Sequence, residues 1–449
     1  MSGKPKLVLI QPPLSDPNYP GVPFRFEPLS LLAVAAVTPK DMFDVRIIDG
    51  SADGDLAALV DSSASLVGIT VVDATARAAY GIAARYRALG IPVVLGGTHI
   101  TLNPEDAEGK AEALVVGEVE NGWVQVLSDA LAGSLKKTYR FAAPESLDIE
   151  IDRGLIPDYS RQYRFISAIQ TTRGCPNGCI FCVPSACYGR TIRHRSVPSV
   201  VAEIARLKSD YGRKFIGFTD DNLTADRKYA EELFRALIPL RIRWASQVCI
   251  DVARDEKLLD LAVESGCMGL FVGLESPRQE ALREAGKGCR AEEYHGLLAR
   301  LRERGVAIVA SFTIGYDSDD EAIYDDVLKF CRAEEIEFPL FVALMAYRGL
   351  PLYNRLREQG REVYEHEPIH PLVTNFMPAR LNREAMAGRM VRMYTEYYTL
   401  GYVLRNLWRS VLRMNPLKTL QFLGVLFFYA RFAGEMRSGR CAAGVATKK

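Results

Sequence analysis

The sequence predicts an α/β protein built on parallel sheets, followed by a mostly helical C-terminal region. A chain of 449 residues is longer than one hydrophobic core usually supports, which indicates two or three domains. Short apolar runs alternate with amphipathic helical stretches over most of the chain. Apolar runs separated by helices are typical of strands that are buried on both faces of a parallel sheet.

The first domain is predicted over residues 1–140 as an open parallel sheet with helices on both faces. Its five strand candidates are KLVLI, FDVRIID, LVGITVV, PVVLGG and ALVVGE, which end at Ile10, Asp49, Val72, Gly97 and Glu118. Ligands of such sheets lie beyond the carboxyl ends of the strands. Glycines gather at those ends, so we expect the binding site of this domain there; they are Gly68, Gly96, Gly97 and Gly117.

A proline-containing, charged stretch over residues 141–164 is predicted to be a linker. The alternation resumes over residues 165–363 with the strand candidates FISAIQ, KFIGFTD, RWASQV, MGLFVGLE, VAIVASFTIG and FPLFVALMAY. Six βα units in series predict a partial barrel with its chemistry at the carboxyl ends of the strands. Residues 364–449 are predicted to form a mainly helical C-terminal domain.

Composition narrows the class of partner and the compartment. The formal net charge of +1 provides no electrostatic argument for nucleic-acid binding. Nine cysteines, an odd number at uneven spacing, favour a reducing, cytoplasmic location over a disulfide framework. The apolar stretch from Leu417 to Phe432 is interrupted by Gln421 and Arg431, so it is predicted to be a core helix, with peripheral membrane contact as the second interpretation.

The stretch TTRGCPNGCIFC places Cys175, Cys179 and Cys182 directly after the first strand of the predicted barrel. Three thiolates in one loop indicate a metal centre. A closed zinc site needs a fourth protein ligand, for which Cys187 is the best candidate, whereas an iron–sulfur cluster with one open iron needs three. The cluster is favoured. The remaining cysteines of the barrel are predicted to be small buried apolar residues; they are Cys249, Cys267, Cys289 and Cys331.

This C-x-x-x-C-x-x-C arrangement resembles the signature of radical S-adenosylmethionine (radical SAM) enzymes. The stretches FTDDN, FVGLES, ASFTIGYDSDDE and MAYRGLPLYNRL resemble later strands of that barrel. Two local departures are Arg348-Gly349-Leu350, where the family has Pro-Gly-Thr, and YDSDDE in place of a Pro-Gly-Glu-Thr loop. The resemblance implies a [4Fe–4S] cluster on the three cysteines. Its open iron would chelate S-adenosylmethionine for reductive cleavage to a deoxyadenosyl radical.

The resemblance also implies residues that bind S-adenosylmethionine. Phe181 is expected near the adenine, Asp220 and Asp221 at the methionine ammonium, and Glu275 and Ser311, at the ends of the fourth and fifth strands, at the ribose or methionine. The alternative for Asp221 is a cap of the following helix, and for Glu275 a buried hydrogen-bonding group. The catalytic residue that quenches or positions the radical is not determined; Tyr347 and Tyr353 are the suspects.

The loops VGITVVDAT, VVLGGTHITLNPEDA and VVGEVENGW resemble the strand-end loops of the Rossmann-like cobalamin-binding domain that is fused to many radical SAM enzymes. The resemblance implies cobalamin contacts from Gly68, Gly96, Gly97, Thr98, His99, Gly117 and Glu118. The Asp-x-His-x-x-Gly motif of cobalamin mutases is absent from the sequence. His99 is therefore expected at the corrin side chains or nucleotide tail, with an ordinary polar loop residue as the alternative.

Together these resemblances imply a cobalamin-dependent radical SAM methyltransferase acting on an unactivated carbon. HPLVTNFMPARLNREAM resembles the C-terminal extension of members that modify lipids and tetrapyrroles, so a small hydrophobic substrate is expected, with flavodoxin or ferredoxin as electron donor. The alternatives are a cobalamin-dependent radical SAM cyclase or rearrangement enzyme and a non-enzymatic, zinc-stabilised cobalamin carrier. A methylthio transferase is disfavoured because residues 1–140 contain no cysteine.

Overall fold

The computed structural model describes residues 3–14, 26–51, 59–364, 370–399, 401–402 and 404–405. The chain has the predicted α/β architecture, and the described residues divide into two compact units. The first unit contains the described residues up to 176 together with residues 183–219. The second contains residues 177–182 and the described residues from 220 onward.

The first sheet has six strands, all paired in parallel, in the order β2-β1-β3-β4-β5-β6. Its strands are β1 (Lys6–Gln11), β2 (Asp44–Asp49), β3 (Leu66–Thr70), β4 (Val93–Gly96), β5 (Ala113–Val116) and β6 (Thr138–Arg140). The five predicted strands are all present. The edge strand β6 was not predicted, because only Tyr139 among its three residues is buried and no apolar run marks it.

The described part of the first unit contains seven α-helices. They are α1 (Leu29–Ala36), α2 (Ala76–Ala88), α3 (Thr98–Leu102), α4 (Trp123–Leu131), α5 (Tyr159–Gln162), α6 (Val183–Tyr188) and α7 (Val197–Tyr211). Helix α2 has the predicted apolar stripe and buries Ile82 and Tyr86 in the same core as Val8 and Val67 of the sheet. Because β1 pairs with both β2 and β3, the strand order reverses beside β1, where open parallel sheets bind ligands.

The second sheet has the order β14-β13-β12-β11-β10-β7. Its strands are β7 (Ser167–Ile169), β10 (Phe215–Phe218), β11 (Arg243–Val248), β12 (Cys267–Glu275), β13 (Ala307–Ile314) and β14 (Phe338–Ala343). All six predicted strands are present, and the first unit contains β7 and β10. A two-stranded antiparallel ribbon, β8 (Thr172–Arg173) with β9 (Arg193–His194), flanks the cysteine loop. Strands of two residues carry no periodicity from which to predict them.

The helices of the second unit are α8 (Arg227–Leu237), α9 (Glu256–Glu264), α10 (Gln279–Ala285), α11 (Tyr294–Glu303), α12 (Ile323–Ala333), α13 (Pro351–Glu358) and α14 (Arg383–Tyr397). Strand β14 ends four residues earlier than predicted. The N–H of Ala343 donates to Pro371 O (2.7 Å) and that of Ala346 to Asn375 Oδ1 (2.8 Å). The residues after Ala343 are therefore held by the loop at 370–376.

The predicted helical C-terminal region is present as α14, which packs on the second sheet. The Tyr394 hydroxyl donates to Phe341 O (3.0 Å) and accepts from Phe341 N–H (2.9 Å). The apolar stretch from Leu417 to Phe432 lies outside the described residues. Among the described helices, none has both the length and the apolar character needed to cross a membrane.

A buried ion network stabilises the first unit. Glu203 of α7 pairs with Arg195 (2.5 Å) and Arg153 (2.8 Å), and Arg153 also pairs with Glu27 (2.9 Å). All four residues are buried. Arg153 belongs to the stretch that was predicted as a linker. This stretch is thus anchored in the core, since buried charges must be compensated where they lie.

We predict that Glu203→Leu lowers the free energy of unfolding by about 3 kcal/mol or more, because it leaves two buried guanidinium groups without their shared carboxylate. Urea denaturation followed by circular dichroism measures the change. The matched control is Glu231→Leu on the exposed face of α8, where Glu231 bridges Arg227 and Arg235 (2.8 Å each). Its expected effect is much smaller, because solvent screens exposed ion pairs. Equal effects of the two substitutions would contradict the stabilising role of the network.

Candidate functional site

A cavity of about 320 Å³ lies at the carboxyl edge of the first sheet. Six of the seven residues predicted to bind cobalamin line it: Gly68, Gly96, Gly97, Thr98, Gly117 and Glu118. Trp123 of α4 forms part of its apolar wall. At Gly96 an added Cβ would meet no protein atom nearer than 3.8 Å, so the missing side chain leaves space in the cavity. The glycine-lined shape fits a large ligand that approaches the backbone closely.

Gly97 brings the loops of this cavity together. Its φ is +103°, and an added Cβ would lie 2.6 Å from Val71 O. Only glycine permits both the backbone conformation and this close approach. Val71 O also fixes the residues that follow Gly97, because it accepts a hydrogen bond from the N–H of His99 (3.1 Å). The loops after β3 and β4 are thus locked against each other.

His99 is the predicted residue that does not line the cavity. Its Nδ1 lies 2.9 Å from Asp73 Oδ1 and its Nε2 lies 3.0 Å from Asp106 Oδ2. Asp106 also accepts from the Tyr80 hydroxyl (2.7 Å). Burial lowers the pKa of His99, but the two carboxylates outweigh it and raise the pKa above its usual value. Both ring nitrogens are engaged within the protein, which supports a structural role.

Residues around the cysteine loop complete the cavity wall. Arg173 of β8 and the α6 residues Cys187 and Tyr188 line it together with the strand-end loops. Glu118 accepts from Arg173 (2.6 Å) and Arg193 (2.5 Å). Its carboxylate is therefore a bridge between two guanidinium groups. The sequence analysis missed Arg173, although its place two residues before Cys175 was a signal. It considered Cys187 only as the fourth ligand of the disfavoured zinc site and did not predict its place in this wall.

The cysteine loop is held by its backbone. In the first unit, the N–H of Cys175 donates to Gly189 O (3.2 Å). In the second unit, the N–H of Ile180 donates to Ala285 O (3.1 Å), and Ile180 O accepts from Leu352 N–H (3.1 Å). The ends of α10 and α13 thereby fix the part of the loop that carries Cys179.

Gly286 determines how closely α10 approaches this loop. Its φ is +73°, and an added Cβ would lie 2.7 Å from Gly178 O. A side chain at this position would have to displace backbone, which is more costly than displacing the end of a flexible side chain. Gly286 therefore satisfies two constraints at once, the left-handed end of the helix and the contact with the loop.

The chemistry of the three cysteines fits an iron–sulfur cluster. All three are free thiols, with Cys175 buried and Cys179 and Cys182 half-buried. Burial raises the pKa of Cys179 to about 12, opposed by the nearby Lys287 ammonium, so metal coordination is the route to its thiolate. Within the described parts of the chain, no three His, Cys, Asp or Glu side chains converge on a single metal ion. A cluster needs no such convergence, because each thiolate ligates a different iron.

Glu275 ends β12 in a strained conformation. Its φ is +63°, which is uncommon for a residue other than glycine. Its carboxylate accepts from Thr313 Oγ1 (2.7 Å) and pairs with Lys287 Nζ (3.0 Å). Strain at a buried residue is typical of functional positions. These internal partners also support the alternative of a buried hydrogen-bonding group, so binding of S-adenosylmethionine by Glu275 stays a prediction. The sequence analysis missed Lys287.

Asp220 and Asp221 follow β10, as predicted. Burial, followed by repulsion from Asp220, raises the pKa of Asp221 to about 6. Asp221 Oδ2 is buried and has no hydrogen-bond partner among the residues that the structure describes. The alternative that Asp221 caps the next helix is wrong, because α8 is capped by Asp226, whose Oδ1 accepts from Tyr229 N–H (3.0 Å). An unpartnered carboxylate oxygen fits a ligand ammonium.

The remaining predicted residues are Ser311, Phe181, Tyr347 and Tyr353. Ser311 lies inside β13 opposite Gly273, so its predicted place at the strand end is wrong. Phe181 contacts the edge of Tyr316 (ring centroids 6.4 Å apart) and, like Tyr353, packs against one apolar cluster of the second unit. Tyr347 follows β14 and is half-buried.

The barrel cysteines outside the loop mostly match their prediction. Cys267, Cys289 and Cys331 are buried. Cys249 differs, because it is half-buried and its sulfur accepts from Asn177 Nδ2 (2.9 Å), within the cysteine motif. Its position after β11 is fixed by its own N–H, which donates to Asn222 Oδ1 (3.1 Å).

The His99 contacts predict a pH-dependent stability. Asp106 remains ionised, since its pKa is held at about 2. The folded-state pKa of His99 is raised, so its contribution is complete below the unfolded pKa of about 6.5 and is lost as the pH rises through the folded value. We therefore expect His99→Gln to lower the melting temperature more at pH 6 than at pH 9. The control is His295→Gln, whose exposed ring contacts Glu334; a pH-independent effect of His99→Gln would contradict the assignment.

Gly286→Ala is expected to lower the iron and sulfide content of anaerobically purified protein, because the methyl group displaces the loop at Gly178. The matched control is Gly305→Ala, where φ is +68° but nothing lies within 4 Å of the added Cβ. Both substitutions introduce left-handed strain of about 1–2 kcal/mol, and only Gly286→Ala adds the contact with the loop. Full cluster content in Gly286→Ala would show that this contact does not position the cysteines.

Comparisons with known proteins agree with this geometry. Residues 21–127 match the B12 binding domain and residues 169–331 match the radical SAM superfamily. Two relatives from Chlorobaculum tepidum are each 27% identical: bacteriochlorophyllide d C-12(1)-methyltransferase, over 91% of this chain and 90% of its own length, and bacteriochlorophyllide d C-8(2)-methyltransferase, over 84% and 86%. The anaerobic magnesium-protoporphyrin IX monomethyl ester cyclase of Cereibacter sphaeroides is 23% identical, over 71% of this chain and 56% of its own.

Two solved structures share the fold. The radical S-adenosylmethionine methyltransferase TsrM from Kitasatospora setae, solved with cobalamin and a [4Fe-4S] cluster, superposes with a TM-score of 0.66 at 18% identity, covering 80% of this chain and 75% of that chain. The cobalamin-dependent S-adenosylmethionine radical enzyme OxsB superposes with a TM-score of 0.67 at 14% identity, covering 96% and 72%. With both domains matched, the chain belongs to the cobalamin-binding radical SAM enzymes, whose cofactors are a [4Fe–4S] cluster, S-adenosylmethionine and cobalamin.

Proposed function

We propose that this enzyme transfers a methyl group from S-adenosylmethionine, by way of cobalamin, to an unactivated carbon of a hydrophobic small molecule of the tetrapyrrole or lipid class. The observation that carries the proposal is the match, over about nine tenths of both chains, to a methyltransferase named for bacteriochlorophyllide. The arrangement of the sites supports it, because one chain contains a glycine-lined cavity and a thiol-rich loop, each of which fits one cofactor.

The residues of this chain have separate tasks in the proposed reaction. Cys175, Cys179 and Cys182 would hold the cluster, which supplies the electron that cleaves S-adenosylmethionine. The unpartnered oxygen of Asp221 would accept a hydrogen bond from the methionine ammonium. With a pKa of about 6, Asp221 is mostly ionised at neutral pH, so the contact is charge-assisted.

The Glu275–Lys287 pair would orient a bound molecule without adding net charge. Glu275 is held by two groups of the chain, so its carboxylate is fixed before any ligand arrives. Lys287 also donates to Gly273 O (2.8 Å). An ammonium has three donors, and these two contacts leave the third for a ligand acceptor. A fixed polar group of this kind lowers the entropy lost on binding.

A second candidate is cyclisation or rearrangement without net methyl transfer. The similarity to the magnesium-protoporphyrin ester cyclase favours it. It uses the same cofactors and differs only in whether a methyl group reaches the product. The zinc-stabilised carrier is not retained, because the radical SAM domain identifies an enzyme.

We further propose a small electron carrier, flavodoxin or ferredoxin, as the reductant, and a cytoplasmic location. A peripheral membrane contact rests on the apolar sequence from Leu417 to Phe432. A hydrophobic methyl acceptor would partition into membranes, so a membrane contact would bring the enzyme to its substrate.

Cys179→Ala is expected to abolish deoxyadenosine formation while leaving corrinoid binding largely intact, because Cys179 does not line the glycine-lined cavity. Deoxyadenosine is measured by chromatography after anaerobic reduction with S-adenosylmethionine, and corrinoid by absorbance. Deoxyadenosine at the wild-type level would overturn the cluster assignment.

Methyl-labelled S-adenosylmethionine, incubated with the enzyme and extracts of tetrapyrroles and lipids, separates the two candidates. We expect label in an extract product by mass spectrometry. Turnover that yields deoxyadenosine and an altered but unlabelled product would instead establish cyclisation or rearrangement.

A further inference from the structure

Cys249 lies beside the cysteine motif, although it is distant from the motif in sequence. It follows β11, and its sulfur accepts a hydrogen bond from Asn177 Nδ2 (2.9 Å) across 72 residues of chain. Asn177 lies between Cys175 and Cys179 in the sequence, and it belongs with Cys249 to the second unit. A side chain of the motif is therefore held by the end of a barrel strand.

The backbone of Cys249 is fixed on two sides. Its N–H donates to Asn222 Oδ1 (3.1 Å), and its carbonyl oxygen accepts from Val252 N–H (3.2 Å) in the short 3-10 turn Ile250–Arg254. Asn222 is buried and follows β10, the neighbour of β11 in the sheet. Two adjacent strand ends thus determine the position of Cys249, so a group that is bound to its side chain is positioned relative to the sheet.

The segment of the motif that contains Asn177 is weakly packed. Pro176 and Gly178 are exposed, whereas the backbone contacts of Cys175 and Ile180 lie on either side of this segment. Exposed loop segments are more mobile than the elements they connect, and ordering them costs conformational entropy. A side-chain hydrogen bond to a fixed group reduces the number of loop conformations before a metal binds.

We propose that Cys249 is a positioning residue for the cluster, because its sulfur holds Asn177 and thereby keeps the loop in a conformation that can bind iron. The proposal rests on the proposed function, in which this loop holds a [4Fe–4S] cluster. Cys249 itself ligates no iron in this role. Its contribution is one hydrogen bond to the loop, in the way that groups behind the direct ligands of a metal orient those ligands. No covalent or redox step is involved.

The test measures how fast the full-length protein, reconstituted anaerobically with iron and sulfide, loses its cluster to an iron chelator, as followed by absorbance. Cys249→Ala removes the acceptor and Asn177→Ala removes the donor. Each variant is expected to lose the cluster about fivefold faster than wild type, which corresponds to the loss of one hydrogen bond. Because both substitutions remove the same contact, we expect the double variant to lose the cluster no faster than either single variant.

Two further variants serve as controls. Cys267→Ala removes a thiol at the start of β12, at the opposite edge of the same sheet, and is expected to lose the cluster at the wild-type rate. Cys249→Ser keeps a hydrogen-bond acceptor and is expected to restore most of the retention that Cys249→Ala loses. Asn177→Ala changes a loop residue, so it tests the contact even where Cys249→Ala does not fold.

Wild-type rates of cluster loss in both single variants, or effects that multiply in the double variant, would overturn the positioning role. An altered electron paramagnetic resonance signal of the reduced cluster in Cys249→Ala, not shared by Asn177→Ala, would also overturn it, because the thiol would then be a ligand. A wild-type protein that takes up no iron and sulfide would instead overturn the proposed function itself.

Discussion

The close approach of two backbone segments, Gly178 to Gly286, is the constraint that positions the loop predicted to carry the cluster. A cluster ligand must be placed to a fraction of an ångström, yet the loop that carries these cysteines is not part of a sheet. Backbone contacts with two helices position the loop instead, at the end of α10 and in the first turn of α13. The absence of a side chain at Gly286 is therefore as much a part of the site as the thiols are.

Charge compensation is the second organising feature. Glu118 is shared between two arginines, Glu275 is matched by Lys287, and His99 lies between two carboxylates. In each case a buried ion has its partner inside the protein, as the high free energy of an unpaired buried charge requires. Asp221 departs from this pattern within the described chain. Its buried Oδ2 has no hydrogen-bond partner among the described residues and burial raises its pKa to about 6, and its contact with S-adenosylmethionine stays a prediction.

The predicted sites of the two cofactors are built from different residue types. The cavity predicted to bind the corrinoid has room and exposed backbone, which glycines at strand ends provide. The loop predicted to bind the cluster carries thiols fixed by backbone contacts, with the Lys287 ammonium near Cys179. Arg173 and Tyr188, adjacent in sequence to the cysteines, line the first site. Residues close in sequence to the cysteines thus contribute to the wall of the glycine-lined cavity.

By itself the sequence determined most of the strands and the thiol chemistry of the predicted cluster ligands. Apolar runs and strand-end glycines predicted eleven of the fourteen strands found in the described residues, because buried parallel strands leave a signal within a few residues. The cysteine spacing indicated a cluster because its ligands are close neighbours in the chain. The short strands β6, β8 and β9 left no such signal.

Only the tertiary structure decided which side chains meet. His99 lies between Asp73 and Asp106, so its expected contact with the corrinoid stays a prediction. Ser311 was expected at a strand end but lies inside β13. Lys287 carried no pattern that distinguishes it from a surface cation, and the position of Arg173 beside Cys175 did not reveal its partner Glu118. Their roles depend on partners 12 and 55 residues away. A local sequence pattern records periodicity and composition, whereas the pairing of distant charges depends on how the chain packs.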